Sequence, residues 1–393
     1  MKKLVIIGIL FFCGCSCNKK YDMYEMPKEV SIELNENSFI VFEEHNSNEL
    51  IKDSNVEILS NKKLDTNTIG KHKYTIDYNY KKRKYKYDVE YTVIDNTKPV
   101  FISSLSKVTV EINKDEDLCD RISYGDNYDK KVTCNVEGQA DFTNIGTYNL
   151  EFVLKDSSNN ENRKSFVLNV VDKIESKKDN TPPNYLYIND IMKYKNENTS
   201  IGIDVSRWQG NIDFKKVKEA GIEFVIMRMG YQKNPNDEYE LDPKFNEYYK
   251  QAKEAGLKVS VYVYTVALNE NDGIKCAKWV LKNLNGDKLD LPIAFDWENW
   301  KDFKNYNTSI HDLSHSYLAF ENEIKKHGYE SMLYSSKYYL ENVWMDFDKS
   351  NIWLAHYTSN TDYKGKYMLW QMTSLAKIDG ITQNTVDIDI LYK

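Results

Sequence analysis

The second half of the chain alternates short apolar runs with helical stretches, and this alternation limits the fold more than any other feature. Strand-like runs begin at Ser200 and recur to the end of the chain, at residues 201–205, 224–229, 259–264, 291–295, 332–334, 352–355, 368–371 and 386–388. Between two of them, residues 243–255 carry an apolar stripe at helical spacing and stop before Gly256, the residue type expected just past a helix end. Eight strands alternating with short helices predict a compact β/α barrel.

Carboxylates follow several of these apolar runs. Asp204 ends the first, and Asp296 and Glu298 follow the fourth. Residues two apart on a strand point to the same face, so Asp296 and Glu298 are expected to project together. Two neighbouring carboxyls suit glycoside cleavage, because one can stay protonated while the other stays charged. The alternative is a strand that runs into a solvated acidic turn.

The first half of the chain alternates apolar and polar residues over short strands and contains an internal repeat. A strand, a polar hairpin and a second strand follow Gly70, and the same order follows Gly146. This pattern predicts half-buried strands in antiparallel sandwiches at residues 29–95 and 99–172. Both units resemble bacterial immunoglobulin-like modules. For these modules, a role in separating the second half of the chain from the membrane is favoured over a role in binding a wall polymer. Residues 173–198, rich in Lys, Asp, Asn and Pro, are expected to be a linker with a short helix around 188–194.

Residues 1–17 have the features of an export signal. Two lysines precede an apolar stretch, residues 4–12, that is too short to span a bilayer comfortably. The following Gly14-Cys15 resembles a bacterial lipoprotein signal, which implies that Cys15 is lipidated and anchors the protein to the membrane, facing the cell wall. Cys17 is the alternative lipidation site, and an ordinary secretory signal is the alternative reading of the segment.

The remaining cysteines and the charge narrow the functional classes. Cys119 and Cys134 lie in one β-rich segment and are candidates for a disulfide in an oxidising compartment, whereas Cys276 is expected to be a buried apolar residue. No spacing of Cys and His is typical of a zinc site. The net charge of −7 gives no indication of a nucleic-acid surface.

Several motifs in residues 200–393 resemble the glycoside hydrolase family 25 lysozymes. They include the run from Gly202 to Phe214, the Asp296-x-Glu298 pair, the segment 353–357 and the closing Val386-Asp387. The resemblance implies a flattened, TIM-like β/α barrel at residues 199–393 and an N-acetylmuramidase that cuts peptidoglycan glycan strands without a cofactor or metal. It also implies that Glu298 is the general acid, that Asp296 stabilises positive charge or orients the substrate acetamido group, and that Asp204 and Asp387 complete an acidic cluster.

Further residues at strand ends are candidates for substrate binding. These are Arg228, Tyr262, Tyr264, Tyr334, Trp353, Tyr357 and Trp370. Each aromatic residue has the alternative of packing in the core, and Arg228 that of a structural ion pair. Tyr264 and Tyr334 are the preferred groove residues, while Trp208 and Asp213 are assigned structural roles.

The sequence departs from the family pattern at two positions. Asp389 stands where the family usually has Asn, and it either adds charge near the site or points away from it. Trp297 replaces an aliphatic residue between the two acids and is expected to face the opposite side of the strand. Two other functions remain open, namely a non-catalytic wall-binding protein and a hydrolase of another polysaccharide.

Overall fold

The computed structural model describes residues 24–25, 37–52, 56–59, 61–80, 82–114, 116–175, 181–347 and 350–393. The chain divides into two compact units, residues 1–96 and 97–393. The predicted signal segment, with Cys15 and Cys17, lies outside the described residues. None of the helices in the described ranges combines the length and hydropathy needed to cross a membrane.

The first unit contains a single sheet among its described residues. Its strands are β1 (Tyr24–Glu25), β2 (Ser38–Ile40), β3 (Glu57–Ile58), β4 (Gly70–Tyr80) and β5 (Arg83–Ile94). The repeat predicted after Gly70 is the antiparallel β4–β5 hairpin, while β1 and β2 both pair with β5 in parallel. An immunoglobulin sandwich requires two antiparallel sheets packed face to face, so that prediction is wrong for the described part of this unit.

The second unit begins with a β-module, residues 97–172. Its strands are β6 (Val100–Ser103), β7 (Lys107–Glu111), β8 (Ser123–Gly125), β9 (Thr133–Glu137), β10 (Gly146–Lys155) and β11 (Glu161–Val171). They form a four-stranded sheet, β7-β11-β10-β9, in which β7 is parallel to β11, and a separate two-stranded ribbon, β6–β8. The immunoglobulin-like prediction is therefore wrong here as well. Cys119 and Cys134 form a disulfide with their Cα atoms 6.1 Å apart.

Residues 181–198 lie against the barrel. They contain β12 (Leu186–Tyr187), the single-turn helix α1 (Ile188–Ile191) and a 3-10 turn, Met192–Tyr194. β12 pairs in parallel with a barrel strand, and the Ile191 side chain is fully buried in the barrel core. The apolar residues of this polar segment are sufficient to attach it to the barrel.

Eight strands close into a barrel. The strands of this part of the chain are β13 (Thr199–Val205), β14 (Phe224–Tyr231), β15 (Glu240–Leu241), β16 (Lys258–Tyr264), β17 (Ile293–Asp296), β18 (Ser331–Ser336), β19 (Asn351–Ala355), β20 (Leu369–Lys377) and β21 (Val386–Tyr392). The closed order is β13-β14-β16-β17-β18-β19-β20-β21, with β21 pairing back to β13, while β15 pairs only with β14. Strand centres are almost completely buried, as the continuous apolar runs predict.

The predicted TIM-like β/α barrel is wrong in its topology. Such a barrel has eight parallel strands, each followed by a helix. Here β21 is antiparallel to both of its neighbours, and residues 356–368 and 378–385, which join β19 to β20 and β20 to β21, contain no helix. The structure is a closed eight-stranded β-barrel with helices on only some connections.

Five helices occupy connections between the earlier barrel strands. They are α2 (Phe214–Glu219), α3 (Phe245–Glu254), α4 (Glu270–Leu284), α5 (Ile310–Lys326) and α6 (Lys337–Asn342). The Asp213 side chain accepts a hydrogen bond from Lys216 N and so starts α2, as predicted. Gly256, beyond the end of α3, has a φ of +73°. Glycine adopts this left-handed conformation without a steric clash because it has no Cβ atom.

The β-module packs against the segment that follows the acidic pair. A 3-10 turn, Asn299–Asn305, begins one residue after Glu298 and contacts the β6–β8 ribbon. Ser123 Oγ donates to Trp300 O at 2.6 Å, and Lys304 Nζ donates to Cys119 O at 2.7 Å. The module thus contacts the barrel beside the acidic residues, and these contacts do not favour the simple spacing role expected above.

We expect Gly125→Ala to lower the free energy of unfolding of the second unit by about 1–3 kcal/mol, as overpacking commonly does. A Cβ atom at this position would overlap the Phe303 ring, which is buried and has little room to move. Chemical denaturation of the full chain measures the change. Ile145→Ala, at an exposed position of the same module, is the control. Equal stability of Gly125→Ala and wild type would contradict the tight contact.

Candidate active site

Four predicted carboxyls lie around one open pocket of about 240 Å³ at a rim of the barrel. Its lining includes Asp204, Asp296, Glu298 and Asp387. Asp204 and Asp296 come from the carboxyl ends of parallel strands β13 and β17, which meet at one rim. Asp387 lies near the start of β21, and because this strand is antiparallel, its start faces the same rim and pairs with Asp204. The reversed strand thereby completes the acidic cluster.

The acidic pair at the end of β17 has one buried and one accessible member. Asp296 is the last residue of the strand and is 5% exposed. Glu298 has already left strand geometry, with φ −128° and ψ 6°, and its side chain is exposed within the groove. Trp297 between them is fully buried and packs edge-on against Trp300, with ring centroids 4.6 Å apart. It therefore anchors the end of the strand in the core.

Electrostatic surroundings raise the pKa values of this pair. Burial by the groove walls raises the pKa of Glu298 above its ordinary range. Burial is also the main cause that raises the pKa of Asp296, and the adjacent Glu298 and Asp204 add to the rise, whereas the Arg228 guanidinium opposes it. Burial and the nearby Asp204 raise the pKa of Asp387 to about 9. The cluster therefore retains protons at neutral pH.

A hydrogen-bonded network fixes Asp204 at the base of the pocket. Gln371 Nε2 donates to Asp204 Oδ2 at 2.8 Å. The hydroxyls of Tyr334 and Tyr357 donate to Gln371 Oε1 at 2.8 and 3.0 Å, which orients the amide with its nitrogen toward Asp204. One glutamine thus links two aromatic residues of the pocket to a carboxyl group.

Asp389 joins this network and does not point away from the site. It is fully buried, and its Oδ1 accepts a hydrogen bond from Trp353 Nε1 at 2.8 Å. Burial is the main cause that raises the pKa of Asp204 well above its ordinary range, and the nearby Asp389 adds to the rise. Burial, together with the nearby Asp387, raises the pKa of Asp389 well above its ordinary range. The residue that departs from the family pattern is therefore a second buried carboxyl group with a raised pKa beside Asp204.

Arg228 combines the two roles considered for it. Its Nε donates to Asp242 Oδ2 at 2.8 Å, and its side chain also lines the pocket. Asp242 is 1% exposed and also accepts from the backbone nitrogens of Arg207 and Lys244. The ion pair therefore holds the guanidinium at the edge of the acidic cluster.

The structure brings together most of the candidate aromatic residues. Tyr262, Tyr334, Trp353 and Tyr357 line the pocket, whereas Tyr264 and Trp370 do not. Tyr264 donates to Asn299 Oδ1 at 2.8 Å, and the core residue Trp370 donates to His356 O at 2.8 Å. Trp370 is therefore a packing residue, whereas Tyr264 is half-buried and hydrogen-bonded to the residue that follows Glu298.

Four residues of the pocket lining were not among the candidates. They are Ser206, Trp208, Gln209 and Gln371. The first three directly follow β13. They could have been predicted as pocket residues, because functional residues of such barrels lie at the carboxyl ends of the strands. Trp208 in particular is 61% exposed, which is inconsistent with a purely structural role for its ring. Gln371 lies inside a buried strand and had no comparable signal.

We expect Asp389→Asn to raise the free energy of unfolding at pH 7 by about 1–3 kcal/mol, the scale of a buried polar desolvation penalty. The folded-state pKa of Asp389 lies above the value of about 3.9 for an unfolded chain, so ionisation of the unfolded state opposes folding at neutral pH. The amide can still accept from Trp353 and donate to Asp204, but it does not titrate.

The pH dependence of this effect provides the test. The difference between Asp389→Asn and wild type should disappear below about pH 4, where both states of wild type are protonated. Thermal unfolding at pH 3.5 and pH 7 measures it, with the exposed Asp379→Asn as control. A variant less stable than wild type at pH 7 would show that the folded protein prefers the ionised carboxylate.

Comparisons with known proteins match the barrel region. Residues 203–381 match the model of the glycosyl hydrolases family 25. The autolytic lysozyme of Clostridium acetobutylicum is 28% identical over 190 residues, which cover 48% of this chain and 54% of the relative. The uncharacterized protein YegX of Escherichia coli K12 is 25% identical over 193 residues, covering 48% and 68%. This chain therefore spans about half the length of the Clostridium relative.

A solved structure similar to this chain is the modular autolysin LytC from Streptococcus pneumoniae in complex with a synthetic peptidoglycan ligand. The two chains are 23% identical with a TM-score of 0.45, and the match covers 62% of this chain and 56% of LytC. The family match coincides with the barrel strands that carry Asp204, Asp296 and Glu298. Residues 203–381 are accordingly similar to the glycosyl hydrolases family 25.

Proposed function

We propose that this protein is a peptidoglycan hydrolase of the muramidase type, which cuts the β-1,4 bond between N-acetylmuramic acid and N-acetylglucosamine. The observation that carries the proposal is an open groove with an accessible Glu298 beside a buried Asp296, in a family 25 domain. Two carboxyls in different surroundings are what glycoside cleavage requires, since one must donate a proton and the other must carry negative charge. The similarity to an autolytic lysozyme supports the choice of substrate.

Glu298 is the proposed general acid. Its side chain is exposed in the groove, and burial by the groove walls raises its pKa, which favours the protonated form that a general acid needs. Donation of this proton to the glycosidic oxygen breaks the bond to the departing sugar. As pH rises through the pKa of Glu298, this acid loses its proton, so activity should fall on the alkaline side.

Asp296 is the proposed partner that stabilises positive charge on the sugar or orients the acetamido group. It lies deeper than Glu298, and burial, Glu298 and Asp204 raise its pKa well above the ordinary range, whereas Arg228 opposes this rise. Its Oδ1 atom is buried and has no hydrogen-bond partner among the described residues. Asp204 and Asp387 complete the acidic cluster, and Gln371 holds Asp204 in place.

The exposed rings of Trp208 and Tyr357 are the proposed contacts for sugar faces. They are 61% and 58% exposed at the pocket. Trp353 is not assigned to stacking, because its ring is buried against Tyr334 and its indole N–H donates a hydrogen bond to Asp389. Substrate stacking is therefore assigned to the exposed rings only.

We also propose that the protein is exported and anchored by a lipid on Cys15. The support is the apolar segment followed by Gly14-Cys15 in a chain whose other motifs point to the cell wall. Together with the barrel, the anchor would hold a wall-cutting activity at the membrane surface.

Replacing Glu298 with Gln should reduce hydrolysis of purified peptidoglycan by about 10²–10⁴-fold, the usual contribution of general acid catalysis. The amide keeps the shape of the side chain but has no acidic proton. Release of soluble glycan and identification of the new reducing-end sugar, expected to be N-acetylmuramic acid, provide the measurement. Glu219→Gln, at an exposed site on α2, is the matched control. Hydrolysis by Glu298→Gln at the wild-type rate would end the assignment.

Replacing Cys15 with Ser should move the protein from the membrane fraction to the soluble fraction, because lipidation requires the thiol. The released protein should still hydrolyse peptidoglycan, since Cys15 precedes the matched domain at residues 203–381. Fractionation of cells that express Cys15→Ser or Cys17→Ser makes the comparison. Release by Cys17→Ser alone would move the lipid to that cysteine, and retention of both variants would contradict the anchor.

A further inference from the structure

A second cavity, of about 580 Å³, lies beside the acidic pocket and is called the side cavity here. Its lining includes Leu186 and Lys193 from the segment before the family domain, and Tyr357, Thr358, Met372 and Leu375 from the barrel. Leu186 and Lys193 precede residue 203, where the family match begins. The cavity is therefore built in part from residues that the family domain does not supply.

The walls of the side cavity are held in place by contacts at three points. β12 pairs with β20, with Leu186 opposite Ala376. Ile191 is fully buried in the barrel core, and Tyr194 OH donates to Ser359 O at 2.9 Å. A cavity with fixed walls loses little conformational entropy when a ligand binds, so its shape favours binding.

Tyr357 connects the side cavity to the acidic pocket, because its side chain lines both. Its hydroxyl donates to Gln371 Oε1 in the acidic pocket, and the residue remains 58% exposed. Tyr357 therefore separates the two pockets, and a substrate bound at the carboxyl groups can extend a side group past this ring into the side cavity.

The side cavity differs chemically from the acidic pocket. Leu186, Met372 and Leu375 present apolar surface, and the hydroxyl of Thr358 adds a polar group. Lys193 and Asp190 both line the cavity, and Lys193 Nζ lies 3.1 Å from the Asp190 carboxylate. A sugar ring, polar around its whole edge, would leave hydroxyls against the apolar wall. A short peptide that carries methyl groups, amides and carboxylates fits this combination better.

We propose that the side cavity binds the peptide stem of a muramic acid residue whose sugar lies in the adjacent acidic groove. This inference rests on the proposed muramidase function, because that substrate carries a peptide on the lactyl group of each such sugar. The apolar wall receives the alanine methyl groups, and Lys193 faces the stem carboxylates. The segment before the family domain thereby acts in substrate selection.

The test compares two forms of one substrate, peptidoglycan glycan with its peptide stems and the same glycan after an amidase has removed them. Full-length wild type should show a kcat/KM several-fold higher on the peptide-bearing form. The double variant Leu186→Ala/Leu375→Ala should lose about 3–10-fold on that form through a higher KM, the scale of lost apolar pocket contacts, and should keep the wild-type rate on the stripped form. Leu241→Ala is the matched control. Leu241 and Leu375 are both 36% exposed, but Leu241 lines neither pocket.

Lys193→Ala provides a second variant whose folding is not at issue, since this side chain is 73% exposed. It should raise KM on the peptide-bearing form only. The stem site would be overturned if wild type cut both forms at equal rates. It would also be overturned if the variants lost equal activity on both forms, a result that would indicate a sugar in the cavity. Failure of wild type to cut either form would instead refute the muramidase proposal itself, and the stem site with it.

Discussion

The reversed final strand is the constraint on which the acidic site depends. β21 pairs with β13 on one side and with β20 on the other, antiparallel to both, and so closes the barrel. If this strand ran parallel to its neighbours, the start of the strand, with Asp387, would lie at the opposite rim from Asp204 and Asp296. Closure also removes exposed strand edges, so the same pairing stabilises the barrel and assembles the site.

Placing several carboxyls in a small volume has an energetic cost, and the network around Asp204 shows how the fold offsets it. Gln371 donates an N–H group to Asp204, and Trp353 donates one to Asp389. Burial favours the neutral form of each acid, which limits the repulsion among them. Arg228, held by the buried Asp242, supplies the positive charge beside Asp296. Raised pKa values and one fixed cation thus allow these carboxyl groups to lie close together.

Parts of the chain outside the matched residues 203–381 contact this region on two sides. The β-module packs on the turn that follows Glu298, through Ser123 and Lys304, and the segment before the barrel forms a wall of the side cavity. Both contacts lie close to the acidic groove. The packed unit around the acidic groove is therefore larger than residues 203–381.

The sequence alone determined the local features. Alternation of apolar residues indicated the hairpins that begin at Gly70 and Gly146, and the apolar runs indicated the barrel strands, because each pattern records which face is buried. Carboxyls at the ends of those runs could also be predicted, since their position relative to the strand is local.

Tertiary structure decided the rest. It set the direction of β21, the single sheet of the first unit and the burial of Asp389. The decisive contacts join residues far apart in the chain, such as Gln371 with Asp204 across 167 positions and Ser123 with Trp300 across 177. Periodicity within one segment carries no information about which distant segment it will meet, so only the folded chain determines those partners.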